Sequence, residues 1–126
     1  MVFPSNLRYT AEHEWVALDG NFAIVGITDF AQGELGDIVF VELDCIGKTL
    51  GSHEVFGTVE AVKTVSDLYM PLSGKITEVN PLLQTQPELV NQDAYGEGWM
   101  IRIQISNPAE WEQLMDAGVY QSHAGH

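Results

Sequence analysis

Gly57-Thr58-Val59-Glu60-Ala61-Val62-Lys63-Thr64-Val65-Ser66-Asp67-Leu68-Tyr69-Met70-Pro71-Leu72-Ser73-Gly74 sets one lysine between two strand-like apolar runs. Lys63 falls where a hairpin joining those runs would bend. The paths on either side are loosely alike: Gly47-Lys48-Thr49-Leu50-Gly51 precedes the first run, and Pro71-Leu72-Ser73-Gly74-Lys75 precedes the continuation of the second. Two half-barrels joined at a lysine fit that pattern. A turn projects its side chain clear of the sheet, which leaves an amine open to a modifying enzyme and free to swing.

Short strands with frequent turn signals extend outward from this stretch, as in a small β barrel or sandwich. Trp15-Val16-Ala17-Leu18 and Phe22-Ala23-Ile24-Val25-Gly26-Ile27 form a hairpin about Asp19-Gly20. Thr28-Asp29 caps a short helix over Phe30 to Leu35 that Gly36 ends. Strand-like runs follow at Ile38-Val39-Phe40-Val41, Val55 to Val59, Leu68-Tyr69-Met70 and Lys75 to Val79. Residues 81 to 98 read mostly as loop, with one helical turn at Pro87-Glu88-Leu89-Val90. Trp99, Ile101, Ile103 and Ile105 alternate with Met100, Arg102 and Gln104, the period of a strand with one buried face. Asn107 as N-cap, Pro108 and Glu110 then predict a C-terminal helix carrying Trp111, Leu114 and Met115. The tail from Gln121 to His126 reads as loose, and His123 with His126 makes a weak metal site.

Bulk properties narrow the function. The chain has 126 residues, 45% of them hydrophobic, enough for one domain over 1–126 with one core. Eighteen acids against five bases give a net charge of -13, which disfavours nucleic acid and anionic membrane as partners and suits basic docking faces. Cys45 is the only cysteine, so an internal disulfide is impossible and a reducing compartment is expected. Neither a secretory signal nor an Arg-rich transit peptide is visible, and no apolar run approaches the ~20 residues of a membrane span. The expected location is the cytoplasm, a mature mitochondrial form being equally consistent. The four histidines and one cysteine offer no nucleophile or zinc-ligand spacing. His13 and His53 read as packing or surface residues without a partner.

Gly57 to Gly74 resembles the lipoyl-attachment segment of the glycine cleavage H-protein family, in its Glu-Ala-Val-Lys run and the following Ser-Asp-Leu-Tyr. Further blocks are similar to that family in order: Tyr9-Thr10-Ala11-Glu12-His13-Glu14-Trp15-Val16, Gly26 to Gln32, Leu35 to Leu43, Pro87-Glu88-Leu89-Val90-Asn91 and Tyr95-Gly96-Glu97-Gly98-Trp99. The likeness spans about residues 7 to 120. A turn lysine without such surroundings would be an ordinary solvated residue, which is how Lys48 and Lys75 read. Biotinyl domains usually set their lysine between methionines, where this chain has Val62 and Thr64. Lipoyl domains of 2-oxoacid dehydrogenase complexes usually have an acid before the lysine and belong to longer chains.

The resemblance implies a mainly β, barrel-sandwich hybrid of the lipoyl/biotinyl-carrier type, with short helices and a C-terminal helix. It implies a non-catalytic carrier with lipoic acid in amide linkage to Lys63. The arm would take an aminomethyl group from glycine decarboxylase to aminomethyltransferase and be reoxidised by dihydrolipoyl dehydrogenase, after a lipoate-attaching enzyme has installed it. Glu14 and Asp67 are the expected acids against which a loaded, cationic arm would park. Glu34 stands where some family members carry a basic or amide residue. Met70 is bulkier than the alanine expected before Pro71, which predicts altered strand packing.

Overall fold

The computed structural model describes residues 2–125. Among the described residues, nine strands make two antiparallel sheets. The larger sheet contains β1 (Arg8–Tyr9), β2 (Glu14–Asp19), β3 (Phe22–Ile27), β5 (Thr49–Leu50), β8 (Gly74–Val79) and β9 (Ile101–Ile105), in the order β1-β2-β3-β9-β8-β5. The smaller contains β4 (Ile38–Glu42), β6 (Val55–Ala61) and β7 (Val65–Tyr69), in the order β4-β6-β7. The expected barrel-sandwich of short strands is the fold observed. The two similar paths flanking the lysine hairpin meet as a pair, Thr49 opposite Lys75 and Leu50 opposite Gly74.

The sheets face each other across one apolar core. Val16, Val25, Ile76, Ile101 and Ile103 on the larger sheet pack with Val41, Phe56, Val59 and Leu68 on the smaller. Met70 and Met100 are buried there as well. Met100, expected to face outward, is instead fully buried one residue before β9, its amide donating to the Val25 carbonyl at 2.8 Å. A second cluster of Leu7, Tyr9, Trp15 and Tyr120 covers one end of the larger sheet. Cys45 is buried, and burial raises its thiol pKa.

Local signals set the short elements. The first hairpin turns at Gly20-Asn21, one residue later than expected, since Asp19 pairs with Phe22 and Gly20 takes φ +64°. Helix α1 (Asp29–Leu35) starts at Thr28, whose side chain accepts from the Ala31 amide, and stops at Gly36 with φ 80°. The single turn expected at Pro87-Glu88-Leu89-Val90 forms two residues later, as helix α2 (Leu89–Gln92).

The C-terminal segment departs from the single helix expected from Asn107. Pro108–Gln113 is a 3-10 segment, and Asn107 makes no side-chain capping bond. Glu110, expected to close a capping box, instead accepts from the amide and hydroxyl of Ser73 at 2.7 and 2.9 Å. Mutual backbone bonds between Tyr9 and Met115, at 2.8 and 2.9 Å, then hold the chain extended. The C-terminal helix is α3 (Ala117–His123), capped by Asp116, whose carboxylate accepts from the Val119 amide at 2.9 Å. The tail is not loose up to His123: Tyr120 is fully buried, and His123 Nε2 donates to the Ala11 carbonyl at 3.0 Å. His126 lies outside the described residues. Among those described, no group of His, Cys, Asp and Glu could hold a metal, and no helix is long and apolar enough to cross a membrane.

Candidate functional site

The β6–β7 turn is closed by the Ala61 amide donating to the Thr64 carbonyl at 2.7 Å, with Val62 and Lys63 at its tip. Lys63 is exposed, and so are Val62 and Val65 beside it. The turn rests on the end of α1. Val62 donates its amide to the Asp37 carbonyl at 3.0 Å, and Ile38 pairs with Ala61. The lysine shaft crosses Gly36 so closely that a Cβ there would lie 3.6 Å from Lys63 Cε.

A cavity of about 330 Å³ opens between β2, α1 and the β6–β7 pair. Ile27, Phe30, Ala31, Leu35, Val59 and Leu68 give it apolar walls. Glu12, Glu34 and Asp67 line it as exposed acids, while Glu14 is only 2% exposed. The structure thus brings Glu14 and Asp67, far apart in sequence, to one cavity, with Leu35 linking its wall to the Gly36 seat of Lys63.

Burial raises the Glu14 pKa to about 7, since removing a carboxylate from water disfavours its charged form. Hydrogen bonds from the Thr10 hydroxyl, at 2.7 Å, and from the Tyr69 and Glu14 amides pull the other way, and Glu12 adds repulsion. Burial thus favours the protonated form of Glu14, a carboxyl that a nearby cation would shift toward carboxylate.

His13 has the partner its sequence context did not reveal. Its Nδ1 lies 2.8 Å from the Tyr120 hydroxyl, which is also 2.7 Å from Thr28 Oγ. Its ring tilts against Phe30 with centroids 4.8 Å apart, and its φ of 73° is left-handed. Burial first, then the nearby His123, lowers its pKa, so the cavity wall presents a neutral imidazole at neutral pH. His53 also has φ 73°, but it is an exposed residue 3.3 Å from Glu12. No local signal could link His13 to Tyr120. The apolar walls from α1 were legible only as a short helix, with no indication of the face it turns to a cavity.

The fold and site define a small β-sandwich domain that presents an exposed lysine at a hairpin tip near an apolar cavity lined by several acids. The family model of the glycine cleavage H-protein matches residues 7–126. The chain is 57% identical over 119 residues to the glycine cleavage system H protein of Symbiobacterium thermophilum, covering 94% of this chain and 93% of that protein. It is 58% identical over 127 residues to that of Chlorobium limicola, covering 99% of both. A crystal structure of a glycine cleavage system H protein from Mycobacterium marinum superimposes with a TM-score of 0.89 at 40% identity, covering 98% of this chain and 99% of that one. The chain belongs to the glycine cleavage H-protein family, and by that membership it is a carrier subunit.

Proposed function

We propose that Lys63 carries lipoic acid in amide linkage and that the chain shuttles the arm among the enzymes of the glycine cleavage system. The supporting observation is an exposed turn lysine whose side chain passes Gly36, the residue after Leu35, which lines a cavity that also holds the buried Glu14 carboxyl. The lipoyl amide, when attached, supplies the disulfide chemistry that accepts an aminomethyl group at glycine decarboxylase, yields it at aminomethyltransferase and is reoxidised by dihydrolipoyl dehydrogenase. A lipoate-attaching enzyme would reach Lys63 without disturbing the fold, since the lysine already stands clear of both sheets.

The chain's own part is presentation and protection. Lys63 keeps the tethered arm at high effective concentration near each partner, which needs no catalytic group on this protein. Ile27, Phe30, Leu35, Val59 and Leu68 exclude water from the arm's apolar length. Glu14 and Asp67 hold the proton on a cationic amine at its end. An ammonium at Glu14 favours the carboxylate there, and that carboxylate in turn raises the amine's affinity for its proton. A protonated nitrogen has no lone pair with which to expel sulfur, so holding the proton prolongs the life of the load.

The test is the lifetime of the aminomethyl group on lipoylated protein with no partner enzymes present. Glu14→Gln should shorten it about tenfold, the scale of one lost charge-assisted hydrogen bond in a buried site. Asp67→Asn should shorten it less, since water screens an exposed acid. Lifetimes equal to wild type in both variants would refute the parking role.

A further inference from the structure

The lysine hairpin and the cavity wall belong to different elements, and one side chain spans the join between them. Asn91, in α2, accepts the Ile38 amide on its Oδ1 at 2.9 Å. Its Nδ2 donates to the Gly36 carbonyl and to Gln32 Oε1, each also at 2.9 Å. Ile38 opens β4 and pairs with Ala61 at the base of the lysine turn. Gly36 ends α1, and α1 supplies Phe30, Ala31, Glu34 and Leu35 to the cavity. Asp37, between the two, accepts the Val62 amide. Asn91 thus holds Gly36, the seat on which the Lys63 shaft lies, together with Gln32 before it and Ile38 after it.

We propose that Asn91 is a positioning residue that registers the Lys63 turn to the cavity its arm must enter, an inference resting on the carrier reading above. Otherwise that link rests on backbone bonds, from the Gly36 amide to the Gln32 carbonyl and from the Val62 amide to the Asp37 carbonyl. Gly36 has no Cβ and sits at positive φ, so its backbone has wide freedom once the bond to its carbonyl is gone. The orientation of the amide follows from its partners: Ile38 offers only a donor and Gly36 only an acceptor, so oxygen and nitrogen cannot be exchanged. Asn91 itself is held by the burial of Val90 beside it, at 1% exposure, which anchors α2 to the core.

Asn91→Asp makes the sharpest test, because it keeps the shape and the acceptor for Ile38 but loses both donors and sets a charged oxygen against the Gly36 carbonyl. Two readouts are compared among wild type, Asn91→Asp, Asn91→Ala and Ile103→Val, the last a mild core change on β9 that controls for lost stability. The first readout is amide hydrogen exchange at Val62 in unlipoylated protein, which needs no arm. It should rise about tenfold in both Asn91 variants beyond what the control's loss of stability explains. The second is the lifetime of the aminomethyl load on lipoylated protein, which should fall about tenfold in the Asn91 variants and hold in the control. Val62 exchange that rises no further in Asn91→Asp than in Ile103→Val overturns the proposal, whatever the arm does. A wild-type load that decays as fast as on free lipoamide would remove the parking reading instead, and Val62 exchange would still decide the role of Asn91.

Discussion

Glu14 weakens the folded state whenever it is ionised in an empty cavity. Its pKa is raised from 4.5 to about 7 by burial, so between those values the folded protein holds more proton than the unfolded chain. The stability associated with the protonated carboxyl is complete below about pH 4.5 and is lost as pH rises toward 7. Glu14→Gln keeps the shape and an acceptor for Thr10 without the charge. It should melt several degrees above wild type at pH 8, with the two curves converging as pH falls below about 4.5; a gap of equal size at both ends of that range would contradict this account of burial. A residue that costs stability in the resting molecule is consistent with a group kept for a cationic ligand. Glu14 and Asp67 could be singled out in the sequence only from the blocks that contain them. The burial of Glu14 could not, because Glu14, Trp15 and Val16 are all buried and β2 shows no period of two there. His13 was opaque for a related reason: its partner Tyr120 is 107 positions away, and its left-handed backbone gives no cue in a residue other than glycine.

Elements were legible where local chemistry governs them. Thr28 and Gly36 bound α1 because a hydroxyl acceptor and an unhindered backbone are what a helix start and stop require. Asn107, Pro108 and Glu110 carry equally good signals and start no α-helix. Glu110 satisfies Ser73 across the fold instead, and the Tyr9–Met115 bonds draw the following residues into an extended path. The tertiary bonds override the local preference there. Capping falls to Asp116, and Asp116→Ala should cost about 1 kcal/mol, lowering the melting temperature by a few degrees. Thermal melts followed by circular dichroism check this, and an unchanged melting temperature would show that Tyr120 packing alone holds α3. The lysine turn was the most legible element of all, because two apolar runs about one polar bend fix both the hairpin and the residue at its tip.

Over the whole molecule, the repeated short strands identified a mainly β sandwich but not which strands share a sheet. The pairing of β3 with β9 joins Ile24 to Arg102, and no periodicity within either strand encodes so distant a partner. The similar paths before β6 and beside β8 gave one true long-range hint, realised in the Thr49–Lys75 pairing. The same topology carries the functional argument. It sets the turn of the smaller sheet against the end of α1, the helix whose Phe30, Ala31, Glu34 and Leu35 line the cavity proposed to protect the arm. That account stands on Lys63 being the point of attachment. Intact and peptide-level mass spectrometry after incubation with lipoate, ATP and a lipoate ligase, with Lys63→Arg as control, tests it most directly. The account predicts one lipoyl amide on the Lys63 peptide and none in the control; an unmodified folded protein, or a lipoyl group on Lys48 or Lys75, would contradict it.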